Sequence, residues 1–516
     1  MADGKTIEMT VRDGAENNSD HEFGTKTDQS GTYPKRQLDR FITLKPAVAF
    51  GLTVLSTWEG IGITLGAGLL NGGPTALVWG LLLAAFGSIT IALSLGEMAS
   101  ITPVVGAQYR WTGLYAPRIM TPAFWSLIQG WLTTFAWIAG CASTSYVCAS
   151  MTQGLIVLNH PETYIPQLWH VTLLMWGYLG ICVFLNVYAR RVLVVVEIFG
   201  GIIHFAFFVA TVVTLAVMGT PSSAEFVFTT SFFGLSGWEN KGVQWCLGLL
   251  TSTSLLTGFD GVLHLSQEMK DAPKKVPISM VLGVVINTVL AFGFVLTLLF
   301  FIGDIERVGM TTTGYPVIEL YYQATGSKAG ATVLTCFIII PAAVCQFNLF
   351  ASVIRLVWAF ARDNGLPFSN FFSYVHPTLR IPTRALYLVG VICVLISLIT
   401  AGSTAAFFAI ISLNALALYI SYLIPILLVL LRKLQGQHPP YGPFKLGRFG
   451  IPINIYAVCW CIFVCTWLPF PAMVPVTAAT LNWSGPIMGA IIVFALADWF
   501  ISGHKRFQIP TNPNDD

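Results

Sequence analysis

Charged side chains are scarce in this 516-residue chain: Asp, Glu, Lys and Arg make up 10% of it, against about 25% in an ordinary soluble domain. So few charges cannot cover a water-facing surface, and a soluble globular enzyme is excluded. A net charge of only +3 leaves no basic field for nucleic acid. The sequence also lacks the G-x-x-x-x-G-K-[ST], H-E-x-x-H, C-x-x-C and G-x-S-x-G patterns, and with them the phosphate loops, zinc sites and nucleophile elbows that such spacings build. The ten cysteines all lie inside apolar runs. They read as small core residues, neither a disulfide framework nor a metal site, so neither metal nor cofactor is expected. Residues 1–44 have no apolar h-region, so no cleavable signal peptide is expected there. With eight acids and six Lys or Arg, they read as a disordered cytosolic tail.

What the chain does have is apolar length. It is 55% hydrophobic and 13% aromatic, with a mean hydropathy of +0.72, which excludes intrinsic disorder. A bilayer span needs about 20 mostly apolar residues. Twelve segments qualify: 46–70, 74–96, 122–150, 168–189, 192–218, 242–266, 278–303, 329–358, 385–402, 404–431, 451–473 and 485–503. The boundary at 402/404 rests on the thinnest signal. Short connections make residues 45–503 one all-α integral membrane domain, followed by a short cytosolic tail over 504–516.

Orientation follows from the Lys and Arg count. With the N-terminus in the cytosol, 24 of the 27 Lys and Arg fall on the cytosolic side, and only Lys241, Arg307 and Lys328 fall outside. This split places both termini in the cytosol and supports the number of spans, because one missed helix would scramble it.

Ionisable residues at membrane depth are costly unless paired or hydrated, and so point to function. Glu59 lies 14 residues after Lys45, roughly 21 Å into span 1. His204 lies 13 residues after Arg191, roughly 20 Å into span 5. Asp260 lies within span 6, nearer the cytosol. Span 1 reads Ser56-Thr57-Trp58-Glu59-Gly60-Ile61-Gly62, and span 6 reads Ser252 to Gly261 through Ser254, Thr257, Gly258, Phe259 and Asp260. Each is an apolar helix interrupted by hydroxyls, glycine, an aromatic ring and an acid. Glycine weakens a helix and Ser or Thr can satisfy freed backbone groups, as the broken helices of an inverted-repeat transporter require. The competing reading is that Gly60, Gly62, Gly66 and Gly68 only let helices pack closely. Packing alone does not require a buried carboxylate, so the acids favour a site.

Asp260, His264 and Glu268 recur at every fourth residue, on one face if span 6 stays α-helical. Glu268 reads as an interfacial partner of Lys270, and His264 stays open. Glu197 and His204, seven apart, share a face of span 5, as a hydrogen-bonded helix contact or a proton relay. Asn482-Trp483-Ser484 is a sequon too close to the membrane for glycosylation, and Asn17-Asn18-Ser19 is cytosolic.

Five stretches occur in order along the chain: Trp58-Glu59 with Gly68-Leu69-Leu70-Asn71-Gly72-Gly73-Pro74; Gly96-Glu97-Met98-Ala99-Ser100 with Pro103, Gly106, Gln108, Tyr109 and Trp111; Gly258-Phe259-Asp260-Gly261 with Glu268 and Pro273-Lys274-Lys275-Val276-Pro277; Thr312-Thr313-Gly314-Tyr315-Pro316; and Phe360-Ala361-Arg362-Asp363-Asn364-Gly365-Leu366-Pro367. Together they resemble the fungal amino acid/choline/GABA permeases of the amino acid–polyamine–organocation superfamily, over about residues 40–505. The resemblance implies a five-plus-five inverted repeat with two trailing helices, spans 1 and 6 broken at the substrate site, and secondary active transport at the plasma membrane coupled to protons. It maps the span 1 break to Thr57, Trp58, Glu59 and Gly60, and the span 6 break to Ser254 through Asp260, including Thr257, Gly258 and Phe259. Proton-coupled relatives often hold a lysine in span 5 where this chain has His204. His204, Glu59 and Asp260 are therefore the candidates for proton coupling.

A carboxylate at Glu59 with Trp58 beside it and Phe259 opposite suits an ammonium group. A zwitterion fits if its carboxylate takes the helix-end N–H groups. Choline, GABA, an α-amino acid, a polyamine or an alkaloid are all compatible, and choline is not favoured, because choline-type members do not all carry a glutamate there. A nutrient sensor of the same build needs long cytosolic extensions. A membrane-embedded enzyme needs clustered catalytic groups at one face, and a major-facilitator transporter needs a large central loop. None of these is visible in the sequence.

Overall fold

The computed structural model describes residues 40–188, 193–402, 404–478 and 480–509. Residues 1–39 of the tail expected over 1–44, its sequon, Arg190, Arg191 and residues 510–516 lie outside the described residues, while residues 41–44 of that tail are ordered against Glu268 and Lys270 and into the first helix. Among the described residues, twelve helices are long and apolar enough to cross a membrane. Spans 1 to 6 are Leu44–Leu70, Gly73–Ile101, Pro122–Asn159, Leu168–Tyr188, Val194–Met218 and Lys241–Glu268. Spans 7 to 12 are Ala272–Phe300, Lys328–Arg362, Thr383–Gly402, Ser412–Leu434, Gly447–Trp467 and Ser484–Arg506. Span 10 is the apolar part of the helix Thr404–Leu434, and Ser403, at the expected boundary between spans 9 and 10, lies outside the described residues. Span 3 continues to Asn159, past the expected end at 150. Span 11 stops at Trp467 rather than 473, because Pro469 and Pro471 follow and cannot donate to a helix ladder.

Spans 2 and 7, 3 and 8, and 4 and 9 pack against one another. Members of each pair are five spans apart, and five is odd, so the second member runs the opposite way through the membrane. Each helix therefore lies beside its own counterpart, as an inverted repeat of five and five arranges them. Spans 11 and 12 trail the repeat and pack on span 10.

Span 1 is broken, though not where its glycines suggest. Its halves are Leu44–Leu55 (1a) and Thr57–Leu70 (1b), joined at Ser56 with φ 42° and ψ 48°. Left-handed backbone at a serine is uncommon and persists only where neighbours enforce it. Asn287 of span 7 does so: its Oδ1 accepts from Thr57 N at 3.2 Å, and its Nδ2 donates to Leu52 O at 3.1 Å. One side chain thus satisfies the freed Thr57 donor and grips the Leu52 carbonyl that already accepts Ser56 N, while the freed Thr53 carbonyl takes the Ser56 hydroxyl at 2.8 Å. Thr57, Trp58, Glu59 and Gly60, expected as the break itself, form the first turn of 1b. Gly60 is a close-packing position instead, since a Cβ there would meet Leu255 Cδ2 at 2.5 Å.

Span 6 ends its α-helical half (6a) at Leu255, turns through Gly258 with φ 93°, and continues as a 3-10 helix over Phe259–Glu268 (6b). A positive φ of this size is readily adopted only by glycine. The tighter winding corrects one expectation. At three residues per turn, Asp260, His264 and Glu268 no longer share a face. Glu268 turns away to pair with Arg355 of span 8, through Nε at 2.6 Å and Nη2 at 3.2 Å. It is buried, not an interfacial partner of Lys270.

That pair is one of several ionic contacts at the Lys/Arg-rich end of the bundle. Asp363 is gripped by Arg110 Nε at 2.8 Å and by Tyr109 Oη at 2.6 Å. Both donors belong to the short helix Ala107–Tyr115 between spans 2 and 3. Burial, then the Asp363 carboxylate, raise the Tyr109 phenol well above its usual range. Burial alone would lower Arg110, and Asp363 outweighs it, so that guanidinium is raised as well. Glu97 pairs with Lys433 and Asp498 with Arg506. The N-terminal approach adds a backbone clasp: Phe41 and Ile42 N donate to Glu268 O, and Lys270 N donates to Ile42 O.

Candidate functional site

The two breaks touch. Thr57 Oγ1 donates to Leu255 O at 3.3 Å, joining the first turn of 1b to the last turn of 6a. From this junction a cavity of about 870 Å³ rises between spans 1, 3, 6, 8 and 10. Its far lining includes Thr313 and Tyr315 of the span 7–8 connection and Leu468, Phe470 and Asn482 of the span 11–12 connection. Those connections lie at the end poor in Lys and Arg. The ion pairs described above close the opposite end.

Of the expected residues, Glu59, Gly60, Ser254, Thr257 and Gly258 line the cavity. Thr57, Trp58, Phe259, Asp260 and His204 are not among its lining residues. Trp58 is fully buried against Phe294 at 5.0 Å and Phe208 at 6.0 Å. Phe259 stacks on Tyr422 at 5.3 Å. Both rings are committed to packing, and the aromatic walls come instead from Trp137, Tyr146, Tyr315 and Phe470.

Among the described lining residues, Glu59 is the one Asp, Glu, Lys, Arg or His. Its Oε1 lies 2.7 Å from His204 Nδ1, and its Oε2 is buried with no hydrogen-bond partner. Trp58 Nε1 points to the same His204 Nδ1 at 3.2 Å. Indole N–H only donates, so it requires a lone pair on Nδ1. Glu59 can accept from a protonated Nδ1, or, as a protonated acid, donate to a bare one. The three groups thus share one proton position with two arrangements. Glu59 also stands in the first turn of 1b, where a carboxylate meets the positive end of the helix dipole.

Asp260 sits behind the cavity wall, fully buried. Its Oδ1 accepts from Tyr422 Oη at 2.5 Å, and its Oδ2 accepts from Gln108 Nε2 at 2.5 Å and Trp137 Nε1 at 3.3 Å. Tyr422 Oη also accepts from Gly258 N at 3.1 Å, so Asp260 holds the span 6 turn through one phenol. His264 Nε2 lies 3.8 Å from Asp260 Oδ2, too far for a hydrogen bond. Glu197 bonds Asn348 of span 8 and Thr53 of 1a rather than joining His204.

Sequence reasoning missed Asn287, Asn348 and Tyr422, and named Gln108 only within a family stretch, without a role. A signal existed for the first two: Asn287 is a lone amide inside apolar span 7, and Asn348 stands with Gln346 inside apolar span 8, where an amide must find a partner. The sequon residue Asn482 spends its amide on Leu468 O at 2.6 Å and Phe470 O at 3.2 Å, which ties it into the cavity rim.

The comparisons with known proteins agree with this architecture. The amino acid permease family model matches residues 46–494. A choline transporter of Saccharomyces cerevisiae is 32% identical over 465 residues, covering 89% of this chain and 81% of that protein. Amino-acid permease 2 of Neurospora crassa is 27% identical over 489 residues, 92% of this chain and 86% of that protein. Amino-acid permease BAT1 of Arabidopsis thaliana is 28% identical over 491 residues, 92% and 94% of the two chains. With twelve spans, two of them broken where the cavity ends, and a family model matching nearly the whole membrane domain, the chain belongs to the amino acid permease family.

Proposed function

We propose that the protein is a secondary active transporter that moves a small organic amine across the membrane by alternating access, coupled to proton movement at Glu59 and His204. The observation that carries this reading is Glu59. Among the described lining residues it is the one Asp, Glu, Lys, Arg or His, in a cavity that ends at two broken spans, and its Oε2 lacks a donor. An ammonium or quaternary ammonium group supplies the counter-charge, and Trp137, Tyr146 and Tyr315 offer aromatic faces for it. A zwitterion is disfavoured by the same residue. The helix end that would receive a substrate carboxylate already carries one, and among the described lining residues no Lys, Arg or His replaces it. The order of preference is therefore amines without a carboxylate, then GABA and α-amino acids.

The open cavity on one side and the ion pairs on the other describe one of the two end states that alternating access requires. The Lys and Arg distribution supports an open side facing outside and both termini in the cytosol, and the family resemblance supports the plasma membrane as the site of action. A competition uptake panel tests the reading: choline, putrescine, lysine and GABA, in yeast lacking its own permeases. Saturable uptake competed by amines and weakly by zwitterions is expected. Preference for zwitterions would overturn the substrate assignment, and failure to take up any of the four would overturn the transport reading for this class.

A further inference from the structure

Seven residues before His204 on span 5, Glu197 occupies a second buried pocket that the Glu59–His204 pair does not use. It is 2% exposed. Its surroundings come from three spans: Thr53 on 1a, Asn348 and Cys345 on span 8, and the backbone of span 5 itself. Among the described residues, no Lys, Arg or His bonds it. Asn348 Nδ2 donates to Oε2 at 3.0 Å. Thr53 Oγ1 lies 3.3 Å from the same oxygen, but its one hydrogen has a shorter acceptor in Ala49 O at 2.9 Å. The Cys345 thiol is spent on Val54 O at 3.2 Å. The carboxyl group therefore has one firm donor for its two oxygens.

Two oxygens in this pocket are left over. Glu197 Oε1 and Asn348 Oδ1 are both buried without any hydrogen-bond partner. As an ionised carboxylate, Glu197 would hold a full charge in the membrane interior against one neutral amide, and the oxygen of that same amide would be left without a donor. Such an arrangement is expensive on both counts. A proton on Oε1 removes the charge and creates an O–H donor for Asn348 Oδ1, so one added hydrogen resolves both vacant acceptors.

We propose that Glu197 is a second proton-binding site, protonated in this conformation and bonded to Asn348. Its position gives the proton leverage on the transport cycle. Thr53 stands three residues before the Ser56 break, and Asn348 Nδ2 also donates to Thr53 Oγ1 at 2.7 Å. Protonated Glu197 therefore ties 1a, span 5 and span 8 together at the closed end. Loss of the proton leaves a bare carboxylate that favours parting of those spans and entry of water from the cytosolic side.

The test is infrared difference spectroscopy of the purified full-length protein in liposomes, titrated over pH without substrate. Wild type is expected to show a carboxylic acid C=O band that disappears on deprotonation. Glu197→Gln should lose that band while other carboxyl bands remain, and Asn348→Ala should keep it but shift its frequency, because its acceptor is gone. A Glu197→Gln spectrum identical to wild type would overturn the proposal, as would an unmoved band in Asn348→Ala. Should Glu197→Gln fail to fold, Asn348→Ala alone decides by its shift. A band abolished by sodium at constant pH would place a metal cation rather than a proton between the oxygens, and would also overturn it. None of these readouts depends on transport.

Discussion

Glu59 of span 1b and His204 of span 5 meet at 2.7 Å through Oε1 and Nδ1, and Trp58 Nε1 aims at the same nitrogen from 3.2 Å. The indole hydrogen bond favours a bare Nδ1, hence neutral histidine. Trp58→Phe removes that donor and leaves a ring to pack on Phe294. With Nδ1 bare, only a protonated Glu59 can make the 2.7 Å contact, so Trp58→Phe costs that arrangement one hydrogen bond, about 1–1.5 kcal/mol, and costs the arrangement with Nδ1–H donating to Glu59 none. The uptake–pH profile of the variant is expected to differ from that of wild type. A profile superimposable on wild type would remove Trp58 from the proton balance.

Glu59→Gln keeps the side-chain size and deletes the cavity's one formal charge. A charged hydrogen bond to the amine is worth about 1.5–3 kcal/mol, so KM for an amine substrate should rise roughly 10- to 150-fold at similar surface expression. A neutral competitor of the same shape should be unaffected. KM changing equally for amine and neutral ligand would show that the residue shapes the cavity without reading charge.

How much of this was legible beforehand differs by residue. Glu59, Asp260 and His204 stood out because an ionisable group in an apolar run is conspicuous, and the structure puts Glu59 and His204 in contact. The break at Ser56 was not legible: the glycines drew attention to 57–60, yet the turn depends on Asn287, 231 positions downstream of Ser56. The winding of 6b was hidden for a related reason, since an i, i+4 pattern assumes 3.6 residues per turn and gives no sign that tertiary contacts tighten it to three. Trp58 and Phe259 looked like cavity walls because they neighbour the acids, but adjacent helical residues point about 100° apart.

Glu268 and Arg355 are both buried at the closed end, so deleting one charge leaves the other unpaired there. Glu268→Gln or Arg355→Gln should cost about 3–5 kcal/mol and show as reduced expression or a lower melting temperature. The exchanged pair Glu268→Arg with Arg355→Glu should recover part of the loss if charge pairing is what matters. Single variants as stable as wild type would show that the contact does not hold the closed end.

A protease-cleavable tag at either terminus should be cut only in permeabilised cells. Cutting at either end in intact cells would reverse the Lys and Arg assignment, and the cavity would then face the cytosol.

Asp260 offers the sharpest contrast between two conservative changes. Its Oδ2 receives two hydrogens, from Gln108 and Trp137, and its Oδ1 receives the Tyr422 hydrogen. Tyr422 cannot redirect that hydrogen cheaply, because its oxygen already accepts Gly258 N–H at 3.1 Å. Asp260→Asn must therefore place an amide NH2 against donors in either rotamer. Gln108 can rotate its amide to accept, since its Oε1 has no partner, but Trp137 can only donate. At least one buried donor is left facing another, at about 1–3 kcal/mol. Tyr422→Phe instead deletes one bridge between Asp260 and the Gly258 turn and leaves Oδ2 satisfied. Asp260→Asn should lose transport more severely than Tyr422→Phe at comparable surface expression. Asp260→Asn combined with Gln108→Glu, which restores an acceptor beside the new amide, should regain part of it. Uptake kinetics on the three variants check this. Normal kinetics in Asp260→Asn would show that the span 6 turn holds without the carboxylate, and that Gly258 and its packing suffice.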